Sequence, residues 1–183
     1  LYYNVEYSIN NSLDQPTSKL FGSVSLNRNS DSGISSGYFG LNQSQLPNYL
    51  HSMYLNSQWI HDLSSNLFDL TDADILTDSL HSPILINPEY LFEIENNSSK
   101  ITKQEISNEG VKWTFNLGQK PDQLILIWNE KQNKIIELEY TYNANSKNAY
   151  SRKWSFDYLS KSEFNALAME YNHQNQIAHQ PFL

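Results

Sequence analysis

Arg152 is one of only two arginines in a chain of 183 residues, the other being Arg28. It falls in step with Tyr150, Trp154 and Phe156, and alternate residues of a strand share a face. The spacing therefore predicts a guanidinium on an aromatic face. Burying it without a partner costs on the order of several kcal/mol. It then serves as an anchor for the anionic or carbonyl end of a ligand, or it reaches solvent or a structural carboxylate near the strand end.

The other chemistry-bearing residues are dispersed. His51 and His61 are separated by about 80° around a helix at roughly 100° per residue, which is no ligand pair. With His81, His173 and His179 they form no metal motif, and the chain has no Cys. Asp69, Asp72, Asp74 and Asp78 cluster, but without the glycine and closing glutamate of a calcium loop. A helix start explains Asp72 and Asp74 through the dipole. Glu137 and Glu139 lie roughly 7 Å apart on one strand face, a separation glycosidase carboxylates also show. Facing lysines such as Lys112 and Lys153 make them a solvated face. No nucleophile elbow, phosphate loop or dinucleotide fingerprint occurs, so neither catalytic residues nor cofactors nor metals are expected.

The aromatic residues are what remains. Trp113, Phe115, Trp128, Tyr140, Tyr150, Trp154 and Phe156 crowd one segment, with Tyr142 and Tyr158 beside them. They are expected to pack a core between sheet and helix, or to line a hydrophobic cavity or an aromatic platform. Together with Arg152, these seven form the expected ligand-binding set.

The segment 111–159 positions them. Val111, Trp113, Phe115 and Leu117 alternate with Lys112, Thr114 and Asn116. Ile136, Leu138, Tyr140 and Tyr142 alternate with Glu137, Glu139 and Thr141. This is the period of a half-buried antiparallel sheet. Gln123–Asn129 is apolar on both faces and is expected to be the most buried strand. Further strands are expected at 2–9, 20–27 and 34–41, the last two as a hairpin across 27–33, and at 83–87, 89–95 and 100–107. Gly22, Gly37 and Gly40 predict bends or close approaches within their strands. Between residues 44 and 68 the apolar spacing becomes helical, with Ser44 as N-cap and Pro47 in the first turn. A short helix follows at 71–80. Ser160-Lys161-Ser162-Glu163 is a capping box opening a helix to about 172.

Composition narrows the classes. The net charge of −8 opposes nucleic-acid and anionic-membrane binding. Charged residues are 17%, below the roughly 25% of an average domain, with Asn and Ser in their place. No apolar run approaches the length of a membrane-spanning helix. Low charge, abundant Asn, Ser and Tyr, and no Cys favour an extracytoplasmic address. The sequons at Asn10, Asn42, Asn96 and Asn97 add little. The chain opens at Leu1, as expected of a trimmed one, which admits a signal peptide or a lipid-anchored leader upstream.

The expected class is α+β in a single domain over 1–183. About ten antiparallel strands curl into a half-barrel, packed on the helical insertion (about 44–80) and the C-terminal helix (about 161–172). In order of elements, though in no residue motif, this resembles the LolA/LolB-type lipoprotein carriers, open barrels that hold acyl chains. That resemblance implies a non-enzymatic binding protein, with an acyl chain or other hydrophobic ligand between the curved sheet and a helical lid. The alternative is a protein–protein interaction module of a cell-envelope or surface assembly with a filled core. A hydrolase is a third reading.

Overall fold

The computed structural model describes residues 1–11, 16–29, 33–43, 60–61, 81–86, 88–107, 110–118 and 121–178. The expected helices over 44–68 and 71–80 lie outside these residues. The exception is Ile60–His61, which forms a two-residue strand rather than helix. His51, His179 and the aspartates from 69 to 78 are likewise outside.

The architecture is α+β, with an open antiparallel sheet. Its strands are β1 (Tyr2–Asn10), β2 (Pro16–Asn29), β3 (Gly33–Gln43), β4 (Ile60–His61), β5 (Ser98–Ser107), β6 (Gly110–Leu117), β7 (Asp122–Asn129), β8 (Lys134–Tyr142) and β9 (Tyr150–Leu159). They are ordered β4-β3-β2-β1-β9-β8-β7-β6-β5, so β4 and β5 are the outermost of the described strands. The helical elements are the single turn α1 (Pro83–Ile86), α2 (Glu89–Asn97) and α3 (Lys161–Ala178).

Two expected strands, 83–87 and 89–95, are helical. In the first, Ser82 precedes Pro83, the combination that opens a helix. The Leu85 N–H donates to Ser82 Oγ at 3.2 Å and to its carbonyl at 3.0 Å. In the second, Tyr90, Phe92 and Ile94 mimic strand alternation. Pro88 at φ −59° starts a helix instead, and the glutamates and Leu91 favour its continuation. Ile94 turns inward while Phe92 is left 65% exposed. The helix ends where Ser98 becomes extended and its Oγ–H donates to the Ile94 carbonyl at 2.6 Å.

The contacts divide the chain into two units, Leu1–Val5 with 20–80 and 157–183, and Glu6–Lys19 with 81–156. In the first, the Leu1 ammonium donates to the Leu26 carbonyl at 2.8 Å, and the Leu26 N–H returns a bond to the Leu1 carbonyl at 2.7 Å. The β2–β3 hairpin slips in register between Phe21 and Ser23, around Gly22. The capping box is formed: Ser160 Oγ accepts the Glu163 N–H at 3.2 Å, and Glu163 Oε2 accepts the Ser160 N–H at 2.7 Å. It sets Phe164, 1% exposed, against Tyr2 with ring centres 5.1 Å apart. The helix runs six residues past its expected end, to Ala178.

In the second unit, β5 to β9 form a continuous meander. Val111, Phe115, Leu124, Leu126, Leu138, Trp154 and Phe156 are its core. β7 is not buried on both faces: Ile125 and Ile127 are half-exposed while Leu124 and Leu126 are enclosed. On β8, a bulge replaces the expected inward Ile136 with Ile135.

Candidate functional site

An apolar groove of about 420 Å³ lies within the second unit, between α2 and the face of β5 to β8. That volume is in the range of small-molecule sites, about 300–1,000 Å³. The strand period and the register together assemble its floor. Ile101 stands opposite Phe115, Lys103 opposite Trp113, Trp113 opposite Leu126, and Trp128 opposite Ile135. Each pair shares one face, because residues directly opposite in an antiparallel pair point the same way. Leu91 and Glu95, four apart on α2, supply the opposite wall by helical spacing.

Charge sits at the margin, on Lys103, Glu95 and Glu130, all exposed. The Lys103 ammonium lies 5.5 Å from the centre of the Trp113 ring. This is cation–π distance, so the charge rests against the ring at the edge of the groove. The site thus offers apolar contact with charge at its mouth. Among the described residues no group of three His, Asp or Glu side chains is placed to hold a metal ion.

Of the expected binding set, Trp113, Phe115 and Trp128 line the groove. Tyr140, Tyr150 and Arg152 gather elsewhere on the same sheet face, at the far ends of β8 and β9. There the Arg152 guanidinium lies 5.9 Å from the Tyr142 ring centre. Trp154 and Phe156 are in the packed interior, 4% and 6% exposed, with Trp154 against Tyr7 at 5.2 Å. Leu91, Glu95, Ile101, Lys103, Leu126, Glu130 and Ile135 were not anticipated. The signal for Leu91 and Glu95 was their i, i+4 spacing, hidden by the competing alternation of Tyr90, Phe92 and Ile94.

The remaining polar candidates have structural partners or settings. Glu137 pairs with Lys153 at 2.9 Å on the opposite, polar face, an ion pair worth about 0–1 kcal/mol. His81 is 2% exposed, and burial holds its pKa down at about 4. It is neutral at pH 7. Tyr140 is pushed up to about 12 by burial and by the Asp122 carboxylate, to which its Oη–H donates at 3.2 Å.

No family model matches the chain, and no curated protein matches it. Among the described residues no helix is long and apolar enough to cross a membrane.

Proposed function

We propose that this chain is a non-enzymatic extracytoplasmic binding protein whose groove holds an acyl chain or a similar apolar ligand. The observation that carries the reading is the concentration of Trp113, Phe115, Leu126, Trp128 and Ile135 around about 420 Å³ of space, with charge confined to the rim. Each CH₂ withdrawn from water there contributes about 0.8 kcal/mol. The weakly charged, Cys-free composition supports the extracytoplasmic address, and a lipid anchor is compatible with it. The half-barrel curvature belongs to this proposal.

Binding of a solvatochromic fatty-acid probe tests it. Saturable binding with blue-shifted emission, weakened in Trp128→Ala, is the expected result. Probe emission that rises linearly without saturation overturns the reading.

A second reading, an interaction module of an envelope or surface assembly, is favoured by the groove's position beside the terminal strand β5. Terminal strands accept an added strand, and the adjoining pocket takes its side chains. Native mass spectrometry separates the two readings, by retained lipid or by a retained polypeptide.

A further inference from the structure

The groove shares its sheet face with a second, chemically different feature at the far ends of β7, β8 and β9. Arg152 stands opposite Tyr140, and Tyr150 opposite Tyr142. The Tyr142 and Tyr150 rings are stacked, 4.5 Å between centres and 11° between planes. Tyr140 packs on Tyr142 at 4.5 Å and 48°. Tyr150 closes the series and is 41% exposed. Arg152 lies beside the stack and makes no ion pair among the described residues.

The support beneath is hydrogen-bonded. Asp122 Oδ2 accepts the Tyr140 hydroxyl at 3.2 Å, and its Oδ1 accepts the Asn143 N–H at 2.9 Å. The Ala144 N–H donates to the Pro121 carbonyl at 2.6 Å, tying the β6–β7 connection to the β8–β9 connection. Asn143 holds the turn at φ 52°, where asparagine is tolerated. The aromatic face is therefore set on fixed backbone before any ligand arrives.

We propose that Tyr142, Tyr150, Arg152 and Asp122 form a platform for a neutral pyranose ring of a glycan, separate from the apolar groove. The negative face of an aromatic ring attracts the C–H side of a sugar. A guanidinium only donates and a carboxylate only accepts, whereas a sugar hydroxyl does both. Hydroxyls of a glycan can therefore bond to Arg152 on β9 and to Asp122 on β7, on either side of β8, while one of its rings covers Tyr150. A purely apolar ligand would strip water from both charges and leave them without new partners. An anionic ligand meets the Asp122 carboxylate and a chain of net charge −8.

Saturation-transfer NMR and calorimetry with cello-, malto-, galacto- and N-acetylchito-oligosaccharides, all neutral, test the assignment. Polygalacturonate is the acidic comparison. Saturable binding of at least one neutral glycan is expected. Tyr150→Leu, which keeps apolar bulk without a flat face, should weaken it about tenfold, and Tyr150→Phe should retain it. Arg152→Gln should weaken it as well. Absence of neutral-glycan binding, equal binding by Tyr150→Leu, or binding of the acidic polymer alone would each overturn the proposal.

Discussion

Trp128 on β7 stands opposite Ile135 on β8, one residue out of step with the flanking pairs Leu126–Leu138 and Ile127–Glu137. Ile136 is the extra residue of a bulge, which re-aims the side chains around it. Ile135 is thereby 7% exposed and lines the groove, while Ile136 is only half-buried. Ile135→Ala should cost about 2–5 kcal/mol, the range for emptying an enclosed position. Ile136→Ala should cost less, as read by urea denaturation. A larger cost for Ile136→Ala than for Ile135→Ala would mean that strict alternation continues through β8.

The same comparison applies to α2. Ile94→Ala should destabilise by about 2–5 kcal/mol because Ile94 is enclosed. Phe92→Glu should fall within about 0.5 kcal/mol, because Phe92 faces solvent and a glutamate favours a helix. A strand over 89–95 would put both residues on one face and make both substitutions costly.

The start of α3 provides a local measurement. Ser160→Ala removes the acceptor for the Glu163 N–H and should cost about 0.5–2 kcal/mol. Hydrogen bonding to the Ser160 side chain, and then to its N–H, holds the Glu163 carboxyl below its usual 4.5. Its contribution is present above that value and is lost as pH falls below it. Helical content followed by circular dichroism between pH 6 and 3 should show an earlier loss in Ser160→Ala.

His81 dominates a different window. Its pKa is about 4 when folded and 6.5 when exposed, so the unfolded chain takes up its proton first. Stability is full above pH 6.5 and declines as pH falls toward 4, by at most roughly 3 kcal/mol. Melting temperatures measured from pH 7 to 5 should drop. A flat profile would show that this imidazole is not excluded from water.

The sheet was legible because its strands combine two-residue alternation with turn signals such as Gly118–Pro121 and Asn143–Asn148. β1, β3, β6, β7 and β9 begin and end within one or two residues of the expected positions. The capping box at Ser160 was legible for a similar reason, since its chemistry is local. The segment 89–95 was not, because Tyr90, Phe92 and Ile94 fit period 2 while Leu91, Ile94 and Glu95 fit period 3.6. Tertiary contact decides between them. The groove was legible at Trp113, Phe115 and Trp128, which lie on strands with clear periodicity. Its other wall depended on α2, so Leu91 and Glu95 could not be placed. Arg152 was correctly set on an aromatic face, but alternation alone could not show that this part of the face lies three strands away from the groove wall at β6.

β5 has β6 on one side and no described strand on the other, and it displays Ile101 and Ile106 at 38% and 45% exposure. An open flank of this kind invites another copy of the chain to add its own strand. Lys100, Lys103 and Glu105 interrupt it with charges that a stacking neighbour would have to desolvate. They act as gatekeepers of colloidal behaviour. Replacing Lys100 and Lys103 with threonine should leave the melting temperature near its original value and yet produce concentration-dependent self-association in light scattering. The solubility of this chain would then rest on two side chains at the outer strand of its sheet.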